Sequence, residues 1–333
     1  MPTSEKMTKD ERHLLDRAAQ SPRHNCLAEL TPEVLRNVSQ QEGIDFATAL
    51  LFDRIVRSPE HRPFVERMQE LQQRDSAAAS RIDATVAFVP GAFYVEHPQT
   101  GADAAVLLTE AAGFGCPTAR IPTLSIGTTA ENGRIICAWL SGQTADRIIL
   151  VSLSKGGADV KMALAEPDAK QAFRNVVAWI NLGGILQGSP MVAWTLSRRL
   201  PSLFCRLLFW IRGRDYQFVR DLDRRAGSTL DFELRPPEHM RLIHVAAFTL
   251  PRHTSSRRAR RWYRRLSSFG PNDSVMMLAD IGKLPGLILP VWGTDHYLQS
   301  RWNSRSLFAA LLQYLAEELD LFRPAVPADM VTQ

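Results

Sequence analysis

Ser154 stands where an apolar strand should stop and a helix should begin. In the stretch Arg147-Ile-Ile-Leu-Val-Ser-Leu-Ser-Lys-Gly-Gly157, Ile148 to Leu153 are β-branched or apolar apart from one serine. That pattern suits a central strand of a parallel sheet, buried on both faces. Lys155-Gly156-Gly157 then turns the chain into a helix predicted over Ala158 to Ala165. A hydroxyl at this junction lies beside the positive end of the helix. Serine becomes a nucleophile when an imidazole takes its proton, and a carboxylate must hold that imidazole in the right tautomer. Downstream, His239, His244, His253 and His296 are available as bases, and Asp273, Asp280 and Asp295 as acids.

The turn resembles the nucleophile elbow of the α/β-hydrolases, usually written G-x-S-x-G. Here the pentad is Ser152-Leu153-Ser154-Lys155-Gly156, with serine in place of the first glycine. The turn brings the residues two before and two after the nucleophile together, so both must be small, and both are. The family places its residues in the chain order Ser, acid, His, on loops after successive strands. His296, in Gly293-Thr294-Asp295-His296-Tyr297, follows the last expected strand, where the family's histidine sits. Gly270-Pro271-Asn272-Asp273-Ser274-Val275 resembles the Asn-Asp-Gly-Val segment that carries the acid in several lipases. The resemblance therefore implies Ser154, Asp273 and His296 as the catalytic set. Asp295 competes for the acid's place, but neighbouring side chains on extended backbone point apart; Asp280 is a third candidate. His244 lies inside a strand and His253 precedes the acid.

The same resemblance assigns the oxyanion hole. Pro90-Gly91-Ala92-Phe93-Tyr94 follows the expected strand Thr85 to Val89, where the family's loop gives one N–H. Ala92 or Phe93 would donate it and Lys155 the second, although the family's usual His-Gly pair is Pro90-Gly91 here. The likeness covers roughly Asp83 to Leu319 and is nearest to lipase and lipid-acyl-hydrolase branches. It implies an α/β fold, the α/β-hydrolase architecture, with a mostly parallel central sheet flanked by helices. An N-terminal helical extension (1–80) would precede a hydrolase domain (81–325) carrying a helical cap insertion at about 191–237. The implied reaction is hydrolysis of a carboxylic ester with a lipid-like or hydrophobic acyl group, through an acyl-enzyme. A thioesterase or acyltransferase would use the same three residues, a peptidase would cut amides, and a non-catalytic relative would only bind. No metal or organic cofactor is implied.

Other elements must hold these residues. Thr31-Pro32-Glu33 is a helix start, with a capping threonine before proline at the first helical position. Asp45 to Val56 and Phe64 to Gln73 carry apolar residues at helical spacing on either side of Ser58-Pro59, and Gln72 to Ser80 is a polar connection. Asp103 to Ala112 reads as helix, Ala119 to Ile126 as a weak strand, and Thr129 to Ser141 as the helix leading into the elbow strand. Val176 to Leu182, Arg241 to Thr249 and Gly286 to Trp292 are further strands, and Leu307 to Leu319 is an amphipathic helix that closes the domain on the sheet. Trp194 to Ile211 reads as helix interrupted at Pro201. Its apolar run Leu203 to Ile211 is flanked by Arg198, Arg199, Arg206, Arg212 and Arg214, as expected of a cap over the site. A greasy, basic cap also suggests peripheral contact with an anionic membrane.

The formal charge is +5 at pH 7 and the excess lies between Arg198 and Arg265. The arginine-rich run Arg252 to Arg265 contains Trp262 and Tyr263, a mixture that can bind nucleic acid. No nucleic-acid motif accompanies it, so an exposed helix or loop is expected and no nucleic-acid partner. Cys26, Cys116, Cys137 and Cys205 lie far apart with no metal-ligand spacing, and Cys137 and Cys205 read as core thiols. The polar N-terminus lacks the apolar segment of a signal peptide, which predicts a cytoplasmic protein acting on a small-molecule ester or thioester.

Overall fold

A computed structural model describes residues 7–74, 81–211, 213, 215–298 and 304–322. Helices α1 (Lys9–Gln20), α2 (Pro32–Glu42), α3 (Ile44–Arg57) and α4 (Arg62–Gln73) come first. Thr31 caps α2 as expected, accepting from the Val34 N–H at 3.2 Å with Pro32 in the first turn. Then follow β1 (Thr85–Val89), α5 (Ala105–Gly113), β2 (Thr118–Arg120), α6 (Thr129–Ser141), β3 (Ile148–Leu153), α7 (Lys155–Ala163), α8 (Ala169–Ala172) and β4 (Val176–Leu182). The remainder is α9 (Pro190–Ser197), α10 (Arg199–Ile211), α11 (Gln217–Asp221), β5 (Arg241–Phe248), α12 (Arg257–Leu266), β6 (Leu287–Trp292) and α13 (Ser304–Glu318).

The strands form one sheet in the order β2-β1-β3-β4-β5-β6, each pair parallel. Alternation along β1 separates its faces. Val86 and Phe88 point into a core shared with α4, α5 and α13, whereas Ala87 and Val89 point into one shared with α6 and α7. A third core packs α1, α2 and α3 against Ala246, Phe248, Ile288 and Trp292 of β5 and β6. The N-terminal helices are thus bonded to the sheet by burial. Glu11 of α1 reinforces the seam, accepting from His253 Nε2 at 2.6 Å and Arg252 Nε at 2.7 Å. Glu11 is buried, yet these hydrogen bonds and cations leave its carboxyl below the usual range, outweighing desolvation.

Four sequence expectations need correction. The strand expected over Ala119 to Ile126 is only Thr118–Arg120, because Pro122 removes a ladder donor and the chain turns away. The cap helix breaks at Arg198, not Pro201: proline sits in the first turn of α10, where no intrahelical N–H bond is lost. The elbow helix begins at Lys155, before the glycine pair, not at Ala158. Cys205 is only half-buried on α10, while Cys137 is a true core thiol, its pKa pushed up to about 12 by burial. Part of the expected connection Gln72 to Ser80, and Arg212 and Arg214 of the cap, lie outside the described residues.

Candidate active site

β3 delivers Ser154 to the rim of the sheet and α7 starts at the next residue. The turn between them forces Ser154 into φ 49°, ψ −115°, a conformation that costs a non-glycine residue about 1–3 kcal/mol. Its neighbours make that conformation fit. A side chain at Gly156 would place its Cβ 2.6 Å from the Val89 carbonyl oxygen and 2.7 Å from that of Pro90. At Gly157 a Cβ would come within 2.6 Å of Asn181 Oδ1. Only hydrogen at these two positions lets the helix close against β1 and β4.

His296 and Asp273 approach from loops at the same edge. Ser154 Oγ lies 2.8 Å from His296 Nε2, and His296 Nδ1 lies 2.9 Å from Asp273 Oδ2. A carboxylate only accepts, so Nδ1 carries the ring proton and Nε2 is left to accept from the serine hydroxyl. The other oxygen of Asp273 accepts from the N–H groups of Val275 (2.9 Å) and Met276 (2.7 Å). The His296 N–H in turn donates to the Asp273 carbonyl at 3.1 Å, tying the two loops together. Asp273 is fully buried, His296 nearly so, and Ser154 is half-buried.

The competing residues are engaged elsewhere. Asp295 accepts from the N–H groups of Ser255 (2.6 Å) and Tyr297 (3.2 Å). Asp280 is paired bidentately with Arg224. His239 contacts the Phe173 carbonyl, and His253 is held by Glu11. In the loop after β1, the Phe93 N–H donates to the Ser125 carbonyl at 3.2 Å, with Phe93 itself at φ 60°. Phe93 is thereby removed as a donor of the expected pair, and the Ala92 N–H makes no hydrogen bond among the described residues. Gly91 packs beside the elbow, its Cβ position 3.6 Å from Ser154 Cβ.

Two groups of residues beneath the serine escaped sequence reasoning. Ser152, Asn181 and His244 stand level on β3, β4 and β5. The Trp179 indole N–H donates to Ser152 Oγ (2.9 Å), and Ser152 Oγ donates to Asn181 Oδ1 (3.0 Å). His244 Nε2 donates to the Pro285 carbonyl (3.0 Å), which leaves Nδ1 to accept from Asn181 Nδ2 (3.1 Å). Burial pushes the His244 pKa down to about 4, so the ring is neutral within this chain. The serine that replaces the first glycine of the elbow pattern thus has a structural use.

The second group is the buried Lys155 side chain, which donates to both oxygens of Asp159 at 2.6 and 2.8 Å. Asn132 Nδ2 also donates to Asp159, at 2.8 Å. Burial raises the Asp159 pKa to about 6 despite the pull of Lys155. Lys155 lies 5.5 Å from the Phe218 ring, which meets Phe93 edge-on at 5.6 Å and stacks on Phe209 at 5.6 Å. Aromatic residues of α10 and α11 therefore wall the loop after β1.

No protein-family model matches the sequence, and no curated protein is similar to it at a significant level. Solved structures are. The chain is similar to a metagenomic carboxyl esterase at 18% identity, over 77% of this chain and 91% of that one, with a TM-score of 0.56. It is also similar to a Bacillus licheniformis lipase in mature form, at 20% identity over 75% of this chain and 96% of that one, TM-score 0.50. The propeptide form of that lipase gives 19% identity over 73% and 51% of the two chains, TM-score 0.51. With the parallel sheet and its flanking helices, these likenesses define the architecture: the chain has the α/β-hydrolase fold.

Proposed function

We propose that this protein is a serine hydrolase that cleaves a carboxylic ester with a hydrophobic acyl group. The observation that carries the reading is the continuous chain of hydrogen bonds from Ser154 Oγ through His296 to Asp273, 2.8 and 2.9 Å long, ending on a serine at positive φ. His296 Nε2 takes the proton as Ser154 Oγ bonds to the ester carbonyl carbon. The carbonyl π pair moves onto oxygen, and the N–H groups of Lys155 and Ala92 receive the oxyanion. When the tetrahedral centre collapses, the bond to the alcohol oxygen breaks and His296 protonates it. Water, deprotonated by the same imidazole, then opens the acyl-enzyme and restores Ser154. Asp273 holds the ring and balances the imidazolium charge without taking the proton. The apolar wall of Phe93, Phe209 and Phe218 beside the oxyanion loop favours a hydrophobic acyl group.

Stopped-flow hydrolysis of a p-nitrophenyl ester tests this. Wild-type protein should release a burst of nitrophenol as the acyl-enzyme forms, and Ser154→Ala should show neither burst nor turnover. Turnover that survives in Ser154→Ala contradicts the proposal. Offering the acyl group as oxygen ester or thioester, with and without an alcohol acceptor, separates hydrolysis from acyl transfer at the same serine.

A further inference from the structure

Helix α10 turns its apolar stripe outward. Leu200, Leu203, Phe204, Leu207, Trp210 and Ile211 are between 51% and 81% exposed, although they repeat at the spacing that normally faces a core. Phe209, on another face of the helix, is buried against Phe218. Contiguous exposed apolar surface of this kind marks an interaction site.

The surrounding charge indicates what covers it. Arg198, Arg199 and Arg206 are exposed or half-exposed on and beside α10, and α12, RRARRWYRRL, carries six arginines, all exposed. None of these makes an ion pair among the described residues, whereas Arg17, Arg62 and Arg67 of the N-terminal helices pair with Glu42, Glu66 and Glu317. The basic helix and the apolar helix are joined through α9. Arg265 of α12 lies 4.5 Å from the Trp194 ring of α9 and 5.0 Å from Trp262. Trp194 meets Trp262 edge-on at 5.6 Å and carries Arg198, at the α9–α10 junction, 5.3 Å away.

A nucleic acid would neutralise the arginines and leave the apolar stripe in water. A second copy docked through the same face would cover the stripe but set arginine against arginine, since α9, α10 and α12 carry no Asp or Glu. An anionic bilayer satisfies both at once, taking up apolar side chains below its headgroups and arginines at its phosphates. We propose that α10, α9 and α12 form a docking surface for an anionic lipid bilayer, with α10 lying apolar side down in the interface and α12 on the headgroups. The inference stands on these side chains alone and does not depend on Ser154 being the nucleophile.

Co-sedimentation of the full chain with vesicles tests it. Wild-type protein should bind vesicles of equimolar phosphatidylcholine and phosphatidylglycerol and leave pure phosphatidylcholine vesicles unbound, with binding falling as salt is raised. Replacing Arg257, Arg261 and Arg264 together by Gln should weaken binding on the order of 100-fold, at about 1 kcal/mol per charge. Replacing Leu203, Leu207 and Trp210 by Ser should weaken it at least as much, and the single change Leu207→Asp should act in the same direction without burdening the fold. Hydrolysis of a soluble short-chain ester should be unchanged in all of them. The proposal is overturned if wild-type protein binds neither vesicle, if the variants bind as wild type does, or if α12 retains a DNA oligonucleotide but no vesicle. It is equally overturned if sedimentation velocity shows a dimer that Leu207→Asp dissociates.

Discussion

Beneath Ser154, polar groups buried across three strands are matched one to one: Trp179 to Ser152, Ser152 to Asn181, Asn181 to His244, His244 to the Pro285 carbonyl. On α10 the arrangement is inverted, with six large apolar side chains largely in water and arginines that make no ion pair among the described residues. The floor has the satisfaction expected of a preorganised site, where an unpaired buried group would cost about 1–3 kcal/mol. The α10 face has the incompleteness expected of a surface that finishes its contacts elsewhere. On the proposed reading, geometry at the serine is held before substrate arrives, and the outer face of α10 takes no part in holding it.

The largest effect that could break this comparison lies in the hydrogen-bonded chain itself. Asp273→Asn should lower kcat by about 10⁴-fold by presenting the wrong tautomer of His296. Asp295→Asn should leave kcat within a few-fold, because its carboxylate accepts from backbone N–H groups and does not touch the ring. Steady-state kinetics on a soluble ester distinguishes the two, and the reverse outcome would exchange the acids.

The next effect tests the floor through pH. His244 is neutral in the fold, with a pKa near 4, and would titrate near 6.5 in the unfolded chain. Between those values the unfolded state binds the extra proton, so stability is retained above pH 6.5 and is lost as pH falls toward 4. The contribution amounts to about 3 kcal/mol when complete. Denaturant unfolding at pH 7 and pH 4 should show the wild type losing more stability on acidification than His244→Asn by about that amount. Equal losses would mean that the imidazole is not held neutral.

Smaller again is the packing of the elbow. Gly156→Ala sets a methyl against the Val89 and Pro90 carbonyls and should cost about 1–3 kcal/mol with a loss of kcat, since β1 and α7 must part. Smallest is the outer face: Leu203→Ser should change the stability of the chain by no more than about 0.5 kcal/mol in thermal unfolding, as expected of a side chain that lies mostly in water. A larger loss there would show that the stripe is a buried core after all.

Much of this was legible in the residues. Ile148–Leu153, Val176–Leu182 and Thr85–Val89 were readable because fully buried parallel strands are short apolar runs bounded by glycine, proline or serine. The meeting of Ser154, Asp273 and His296 was foreseeable because Ser154 and His296 follow strand ends and Asp273 lies in a recognisable local pattern between β5 and β6. The Ser152–Asn181–His244 chain was not, because cross-strand register is fixed by tertiary pairing and leaves no trace in local spacing. Nor was the engagement of the Phe93 N–H by Ser125, a contact between loops more than thirty residues apart in the chain. The Lys155–Asp159 pair has helical i,i+4 spacing, but that spacing does not say whether a pair is exposed or, as here, buried. The outward stripe of α10 could not be oriented from periodicity, which gives the existence of a face but not the direction in which it points.

The most direct test of the nucleophile is reaction with a fluorophosphonate probe, followed by mass spectrometry of the labelled peptide. Wild-type protein should carry the phosphonyl group on Ser154, and Ser154→Ala should not be labelled. A wild-type protein that stays unmodified, or a Ser154→Ala variant that labels as strongly as the wild type, would contradict the assignment.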